Sequence, residues 1–454
     1  MSQKIRTLKA LSQRILSVGC ALFMAMTMMQ CDDTPTQPAA QVEVSPRQVA
    51  EATTTSGPIL GKLPSGADYL ISMPAVWNGD LVVYAHGYVA FNEPLKLPDD
   101  ELEGISISKT VNDLNYAYAT TSYRSNGLVI PWAVQDLLEL VTEFKKTWQP
   151  RHIFLVGASE GALIATLTVE QYPKVFDGGM PASGPVGDFR KQIDYLGDFR
   201  VVFDYFFPSV LKDPTGTRLP FVVPKAVATQ ANWDTWYKPR IEAAVANPSN
   251  SHAVEQLLRV TNAAVDPGDP STAVKTAVDI LWYNFFASKD AEEKLGGQPF
   301  DNTKRFYSGS DNDWKLNFGA GHVQRMAATG NALNNIRALY QTSGKLQRPL
   351  VTMHTTLDQV VPYWHEPLYS FKVLLKGSFL YRTNIPIVRY GHGSFKLSEV
   401  LVGFAVLVFK VTLTDLILAE NVLPDAGQRA EFMRLAQENG AHPKIKAVAV
   451  AVNK

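Results

Sequence analysis

The fold is decided by one stretch of the sequence, which reads His152-Ile-Phe-Leu-Val-Gly157-Ala158-Ser159-Glu160-Gly161-Ala-Leu-Ile-Ala. An apolar run typical of a buried strand is followed by a turn of small residues and then by a helix-like pattern. Glycine at positions 157 and 161 permits a sharp, strained turn whose neighbours must lack bulk, and such a turn exposes the Ser159 hydroxyl. The alternative is that Ser159 lies in an ordinary loop between a strand and a helix. We predict a strand, a turn and a helix, with Ser159 as a nucleophile.

On both sides of this stretch, short apolar runs alternate with helical patterns, which indicates crossover units that build a largely parallel sheet. The predicted strands are Ala67–Met73, Leu81–Tyr84, Tyr116–Thr121, His152–Val156, Leu350–His354 and Ile385–Arg389. A helix is predicted from Pro131, because apolar residues recur at three- and four-residue spacing as far as Phe144. The expected fold class is therefore α/β, with a mostly parallel central sheet and flanking helices.

The alternation stops between residues 185 and 347, where aromatic, helix-like segments are separated by Pro and Gly. We interpret residues 185–347 as a helical cap inserted into a core formed by residues 58–184 and 348–425. The aromatic side chains of the cap either line an apolar substrate pocket or belong to its core. They are Phe203, Tyr205, Phe206, Trp282, Tyr283, Phe285 and Phe286. Residues 426–454 give a helical pattern and then an apolar tail, to which we assign no function.

The composition of the 454-residue chain restricts its partners. Its 43 Lys and Arg residues balance 43 Asp and Glu residues, so the overall charge favours neither nucleic acid nor an anionic membrane surface. An apolar content of 46% is sufficient for a substantial buried core. The sequence contains no phosphate-binding Gly loop and no His or Cys cluster with metal-ligand spacing. We therefore expect a small or neutral substrate.

The N-terminus is typical of an export signal. Basic residues precede an apolar stretch, Ile15–Met29, that is too short for a comfortable membrane span. Cys31 follows it directly, and we predict residues 1–31 to be a lipoprotein-like signal peptide whose Cys31 is lipidated, with residues 32–57 as a flexible linker. Gln30 stands where a small residue is usual, so cleavage elsewhere and simple secretion is the alternative. If Cys31 is lipidated, this lipid is the only contact with the membrane that we expect.

The strand Leu81–Tyr84 ends in Ala85-His86-Gly87-Tyr88, well before the serine. Gly87 permits unusual backbone geometry, and we predict that the amides of Tyr88 and Glu160 donate to the oxyanion that develops during acyl transfer. His86 precedes the nucleophile in the chain, so we interpret it as structural rather than as a general base.

The predicted acid is Asp358, which follows a strand in Leu350-Val-Thr-Met-His354-Thr-Thr-Leu-Asp358. Other aspartates lack this strand-then-loop context, and a surface or capping role explains them better. They include Asp279, Asp313 and Asp415. His354 and His365 flank the acid loop, where a buried and hydrogen-bonded role is expected.

The predicted general base is His392, which follows the last predicted strand and is flanked by Gly391 and Gly393. A serine hydroxyl needs an adjacent base and a group that orients that base. The rival His322 precedes Asp358 and lies in the cap. The order Ser159, Asp358, His392 therefore fits better than an order that includes His322.

This ordered set of motifs resembles the α/β-hydrolase superfamily over residues 57–423. In particular, residues 62–70 and 77–84 resemble secreted bacterial members in which two leading strands precede the His-Gly loop. The resemblance implies acyl transfer through an acyl-enzyme, without a metal or organic cofactor, and it does not imply a substrate.

The leading interpretation is an exported serine hydrolase that cleaves a small-molecule or polymeric carboxylic ester with an apolar or aromatic group. A serine peptidase or aminopeptidase of the same fold is the first alternative, and it would use a carboxylate cluster in the cap to hold a free amine. Asp290, Glu292 and Glu293 are candidates for that cluster, although a charged, solvated helix face explains them better. A surface lipoprotein that binds ligands without catalysis is the second alternative.

Overall fold

The computed structural model describes residues 57–412, residue 423 and residues 425–438. The predicted signal peptide, Cys31 and the linker as far as residue 56 lie outside the described residues, as do Asp415 and residues 439–454 of the C-terminal segment.

The centre of the described structure is an eight-stranded sheet with the order β1-β2-β6-β3-β7-β8-β9-β10. Strand β2 is antiparallel to β1 and β6, and the other neighbouring pairs are parallel. Its strands are β1 (Ile59–Lys62), β2 (Asp68–Ser72), β3 (Leu81–Ala85), β6 (Ala117–Thr121), β7 (Ile153–Ala158), β8 (Gly178–Ala182), β9 (Leu350–Leu357) and β10 (Arg382–Tyr390). Strands β4 (Glu101–Leu102) and β5 (Ile105–Ser106) form a separate ribbon. The mostly parallel sheet confirms the expected fold class.

Helices cover both faces of the sheet. One face packs against α2 (Ile130–Lys145), α3 (Glu160–Gln171) and α11 (His365–Leu375). The opposite face packs against α1 (Ile107–Asp113), α12 (Leu397–Thr412) and α13 (Ala426–Glu438). Each face therefore has its own apolar core, which fixes the sheet as a rigid platform for the loops at its edge.

All six predicted strands lie in the sheet, and two further strands, β1 and β8, were not predicted. Strand β1 is partly exposed, and β8 has the sequence Gly-Gly-Met-Pro-Ala, which contains no β-branched residue. A Cβ at Gly178 would lie 2.8 Å from Leu407 of α12, and one at Gly179 would lie 2.9 Å from Val169 of α3. Strand β8 has small residues because helices press on it from both sides, and this packing is invisible in a propensity pattern.

The segment of residues 185–347, which is predicted to form a cap, is mostly helical and also contains isolated β-bridges between Lys212 and Arg218 and between Asp266 and Asp269. Its helices are α4 (Phe189–Phe206), α5 (Gln230–Asn232), α6 (Lys238–Ala246), α7 (Ser251–Thr261), α8 (Thr272–Lys294), α9 (Asp313–Phe318) and α10 (Gly330–Leu339), with a π-helix at Trp233–Tyr237 and a 3₁₀ turn at Pro248–Asn250. A second 3₁₀ turn, Phe379–Tyr381, precedes β10. Residues 185–347 contribute most of an apolar cluster, which includes Phe203, Phe285 and Phe286 together with Ala90 from outside the segment. Most of the predicted pocket aromatics are therefore packing residues.

Within the described part of the chain, every helix is too short or too polar to cross a bilayer.

Candidate active site

Ser159 lies at the turn between β7 and α3, with a strained backbone of φ 55° and ψ −120°. The two glycines of the motif are required by close packing: a Cβ at Gly157 would lie 2.2 Å from the carbonyl oxygen of Gly161, and one at Gly161 would lie 2.0 Å from that of Ala85. The turn is held by a hydrogen bond of 2.9 Å from the Ser159 amide to the Ala182 carbonyl oxygen. The sequence thus forms the strained turn that the motif predicts.

The His392 ring lies between Ser159 and Asp358. Its Nε2 is 2.8 Å from Ser159 Oγ, and its Nδ1 is 2.8 Å from Asp358 Oδ2. An ionised carboxylate only accepts hydrogen bonds, so Nδ1 carries the proton and Nε2 is free to accept from the serine hydroxyl. His392 follows β10, where Gly391 has a φ of 111° that an L side chain rarely adopts. This row of hydrogen bonds can transfer a proton from Ser159 to His392.

Asp358 follows β9 and is fully buried, with its carboxylate saturated by donors. Oδ1 accepts from the amides of Val360 (2.9 Å) and Val361 (2.8 Å), while Oδ2 accepts from His392. Burial opposes ionisation of this carboxyl, but the interactions with His392 and His354 outweigh it and hold the pKa of Asp358 well below its usual range. Asp358 is therefore a fixed anion beneath the imidazole.

These three side chains come from the carboxyl ends of β7, β9 and β10, in the chain order Ser, Asp, His, at one edge of an eight-stranded and mostly parallel sheet. That edge is where open α/β sheets bind ligands, and the chain order excludes the trypsin-like and subtilisin-like arrangements. The chain has the α/β-hydrolase fold.

Solved structures with this fold include peptidases, esterases and lipases that are similar to the chain. An acylaminoacyl peptidase of Pyrococcus horikoshii is 12% identical with a TM-score of 0.37, and the match covers 74% of this chain and 38% of the peptidase. Feruloyl esterase B of Aspergillus oryzae is 13% identical with a TM-score of 0.40, covering 79% of this chain and 82% of the esterase. A monoacylglycerol lipase of Paleococcus ferrophilus is 12% identical with a TM-score of 0.34, covering 76% of this chain and 99% of the lipase.

The chain spans less than half the length of the acylaminoacyl peptidases that it matches. No family model and no curated protein matches the sequence. The strand order and the turn at Ser159 decide the fold, and none of the neighbours' activities is carried over to this chain.

The two residues predicted to supply oxyanion donors flank Ser159 in space. Glu160 is the first residue of α3, so its amide belongs to the unpaired N–H groups at a helix N-terminus. Tyr88 follows Gly87, at which a Cβ would lie 3.3 Å from Ser159 Cβ. His86 is held by a 2.8 Å hydrogen bond between its Nδ1 and the Gly87 carbonyl oxygen and stacks on Tyr123, which is consistent with a structural role.

A second layer of buried charge supports Asp358. His354 Nε2 is 2.7 Å from the carbonyl oxygen of Val361 and 3.5 Å from Asp358 Oδ2, while its Nδ1 is 3.3 Å from Glu366 Oε1. Both ring nitrogens face acceptors, so the ring is an imidazolium. Burial alone would lower its pKa, but Asp358 and Glu366 raise the pKa of His354 to about 10. Glu366 is in turn paired with Arg382.

The rival residues lie elsewhere. His322 is exposed and lines a separate cleft of about 640 Å³ in the cap. Asp279 binds Lys275 and the Gln359 side chain, and Asp313 accepts from Ser310 at the start of α9. His365 is buried and accepts from the amides of Gly187 and Asp188.

The three carboxylates considered for an amine site do not form one cluster. Asp290 is buried and accepts from the Leu128 amide (2.7 Å) and from Lys294 (3.1 Å). Glu292 pairs with Lys289, and Glu293 with Lys225, on the outer side of α8. Asp290 is therefore separate from the solvated pairs beside it, and it is already satisfied.

A cavity of about 80 Å³ lies beside Ser159, between α4 and α8. Apolar side chains form most of its wall, and the polar ones are contributed by residues close to the nucleophile. The lining includes Tyr88, Leu128, Ser159, Glu160, Phe189, Ile193, Leu196, Tyr283, Ala287 and Val360. A further cavity of about 50 Å³ shares Ile193, Leu196 and Tyr283 with it. The apolar surface thus extends beyond the serine.

Sequence reasoning did not identify Ile193, Leu196 or Val360 as lining residues. Tyr283 was included among the cap aromatics, but nothing distinguished it from Phe285 and Phe286, which are buried in the cap core. In the structure Tyr283 lines the cavity beside Ser159, and burial raises the pKa of its phenol well above the usual range. The helical spacing of residues on α8 could identify Tyr283 as a lining residue only if the face of α8 that lies towards Ser159 were known.

Proposed function

We propose that the protein is a serine hydrolase that cleaves carboxylic esters through an acyl-enzyme on Ser159. The observation that carries this proposal is the continuous hydrogen-bonded row Ser159, His392, Asp358, with 2.8 Å at each step. In this row the base, His392, is hydrogen-bonded to the nucleophile, Ser159, and is oriented by the buried anion of Asp358.

The reaction follows from the positions of these groups. His392 Nε2 accepts the Ser159 proton as Oγ attacks the ester carbonyl carbon, and the imidazolium that forms is stabilised by Asp358. The carbonyl oxygen becomes an oxyanion, to which the amides of Tyr88 and Glu160 donate. The tetrahedral adduct collapses when the C–O bond to the alcohol breaks and His392 gives its proton to the leaving oxygen.

Deacylation repeats these steps with water. His392 removes a proton from a water molecule, the hydroxide attacks the acyl carbon, and Ser159 Oγ leaves with the proton from His392. The products are a carboxylic acid and an alcohol. Because no step requires another reactant, the proposed reaction is complete with the residues named above.

The character of the cavity supports an ester with an apolar acyl group. Its wall consists mainly of side chains such as Leu128, Phe189, Ile193 and Leu196. Asp290, one of the three carboxylates considered for a peptide amine, is paired with Lys294 and the Leu128 amide. An amine would therefore compete with bonds that already exist, so we favour ester over amide hydrolysis.

Paired rate measurements test this function. We expect turnover of short 4-nitrophenyl esters and little turnover of aminoacyl 4-nitroanilides, with loss of ester turnover in Ser159→Ala and no change in Ser249→Ala, a serine on an exposed turn of the cap. Anilide cleavage without ester turnover would replace the esterase with a peptidase. Equal activity of wild type and Ser159→Ala would overturn the proposed nucleophile.

We also propose that the enzyme is exported and anchored through a lipid on Cys31. The basic and apolar residues before Cys31, and the polar residues after it, support this. When the full chain is expressed in bacteria, the wild type should partition into the detergent phase and Cys31→Ser into the aqueous phase. Detergent partitioning of Cys31→Ser would contradict the anchor.

A further inference from the structure

Two buried polar atoms that belong to residues lining the Ser159 cavity have no hydrogen-bond partner among the residues that the structure describes. They are Glu160 Oε2 and Tyr88 Oη. The Glu160 side chain is only 7% exposed, so solvent does not satisfy it. Buried polar atoms are almost always paired, because an unpaired one costs the free energy of its desolvation. Such atoms beside a nucleophile indicate a place where a ligand group binds.

Both atoms are attached to the backbone that surrounds the nucleophile. Glu160 follows Ser159 directly, and Tyr88 follows Gly87, which packs against Ser159. Tyr88 is held by edge-on contact with Trp282 of α8 and a tilted contact with Tyr283. The two polar groups are therefore placed by the same rigid elements that place the reacting serine, and a substrate bound to Ser159 would lie beside them.

The hydrogen-bonding capacity of this pair suits a neutral partner. Burial raises the pKa of Glu160 to about 8, an effect that the Val129 amide and the Lys294 cation oppose and nearby Asp290 reinforces. At neutral pH the group is a carboxylic acid whose Oε1 accepts from the Val129 amide at 3.3 Å. The remaining oxygen and the Tyr88 phenol together offer donors and acceptors without net charge.

A hydroxyl group complements this pair, because it both donates and accepts. An ammonium group offers only donors, so it would require ionised Glu160 in a cavity with few polar groups. The nearby anion, Asp290, is already paired with Lys294. A hydroxyl on an otherwise apolar acyl group satisfies both unpaired atoms and leaves the rest of the cavity wall in apolar contact.

We propose that Glu160 and Tyr88 form a specificity subsite that binds a hydroxyl group on the acyl part of the ester. This inference rests on the proposed esterase function and adds the class of substrate: hydroxylated acyl esters are preferred over otherwise identical esters without the hydroxyl. The subsite discriminates because its polar atoms stay unpaired when the hydroxyl is missing.

Matched pairs of 4-nitrophenyl esters test the subsite. The pairs are lactate and propionate, 3-hydroxybutyrate and butyrate, and 4-hydroxyphenylacetate and phenylacetate, which place the hydroxyl at different depths. For at least one pair we expect kcat/KM to be about tenfold higher for the hydroxylated ester. The ratio within that pair should fall to about one in Glu160→Met and by about threefold in Tyr88→Phe, and it should largely survive in Glu160→Gln, whose amide still donates.

A matched control is Leu196→Met, a change of similar volume in the apolar wall, which should alter both esters of a pair equally. Glu160→Gln and Tyr88→Phe keep the size of the side chain, so the ratio remains measurable if Glu160→Met does not fold.

The possible results distinguish failure of the proposed subsite from failure of the proposed esterase function. Turnover of the parent esters without a hydroxyl preference in any pair overturns the subsite alone, as does a preference that persists in Glu160→Met. A preference for 4-nitrophenyl alaninate over propionate that is lost in Glu160→Gln replaces the hydroxyl with an amine. No turnover of any ester, with no reaction of Ser159 with a fluorophosphonate, overturns the proposed function itself.

Discussion

Two buried acidic regions flank the catalytic row, and they differ in how their charge is compensated. Behind His392, the paired region consists of Asp358, His354, Glu366 and Arg382, in which carboxylates alternate with cations at hydrogen-bonding distance. Beside Ser159, the unpaired region consists of Glu160 and Tyr88, which each retain a buried polar atom without a partner among the described residues.

The difference shows how one active site can hold its general base in a fixed orientation and also keep polar groups free to bind a substrate. Burial raises the pKa of Glu160 to about 8, whereas the interactions of Asp358 with His392 and His354 overcome burial and hold the pKa of Asp358 low. A compensated carboxylate orients the base and does not need a ligand. The carboxylic acid of Glu160, by contrast, has a buried oxygen without a partner, which is costly in the free protein, and in the proposed subsite it gains a partner when substrate binds.

The largest effect is expected from a substitution in the paired region at Asp358, which contacts the catalytic row. Asp358→Asn keeps the shape of the side chain but removes the anion that fixes the His392 tautomer, so kcat should fall by about 10⁴-fold. Steady-state ester hydrolysis measures it, with Asp313→Asn as a control at an exposed helix start. A loss of less than tenfold would show that Asp358 is not the orienting acid.

The next effect is on stability. His354→Gln removes the cation that lies between Asp358 and Glu366, which leaves buried negative charge, and the free energy of unfolding should fall by about 3 kcal/mol. Urea denaturation measures the change, and His252→Gln, at a ring that is 67% exposed, should have little effect. Because the pKa of His354 is raised from 6.5 to about 10, its contribution is complete below 6.5 and is lost as the pH rises through 10. An unchanged stability near neutral pH would contradict this pairing.

The unpaired region has its own pH window. The folded protein holds the Glu160 proton up to about pH 8, and the unfolded chain releases it near 4.5, so the stability that depends on Glu160 falls as the pH rises between these values. Glu160→Gln should remove this slope, so its stability relative to the wild type should rise across the window by about 1.4 kcal/mol for each pH unit. Urea denaturation across the window tests it, with Glu255→Gln, 61% exposed, as the control. Parallel stability curves for wild type and Glu160→Gln would show that Glu160 is ionised throughout.

The smallest effect is expected at the solvated carboxylates on α8. Glu293 pairs with Lys225, and both side chains are more than a third exposed. A double-mutant cycle with Glu293→Ala and Lys225→Ala should give a coupling energy below about 0.5 kcal/mol. A coupling above 1 kcal/mol would mean that this pair belongs with the buried region rather than with solvent.

The parts of the site that sequence could predict are those encoded by local context. Ser159, Asp358 and His392 each follow a strand within a few residues, so the spacing of glycines and apolar runs was sufficient to select them. The paired region joins residues of β9, α11 and β10, and the role of Glu366 depends on packing that a one-dimensional pattern does not contain. The burial of the Glu160 side chain could not be predicted either, because it also depends on packing. The helix pattern predicts only the position of the Glu160 amide.

The fold divides in the same way. Strands with apolar or β-branched runs can be predicted from the sequence. Strand β8 cannot, because it consists of small residues that are required where α3 and α12 pack closely against it. In the cap, periodicity indicated helices but not which aromatic residues face the serine. Tyr283 lines the cavity, while Phe285 and Phe286 pack inside the cap core.

The central claim is that Ser159 is a nucleophile activated by His392, and mapping of a fluorophosphonate adduct tests it most directly. Intact-mass and peptide analysis of the wild type should show a single phosphonyl group on the peptide that carries Ser159, no adduct in Ser159→Ala and strongly slowed labelling in His392→Ala. Labelling of Ser159→Ala to the same extent as the wild type, or an adduct on another residue, would contradict it.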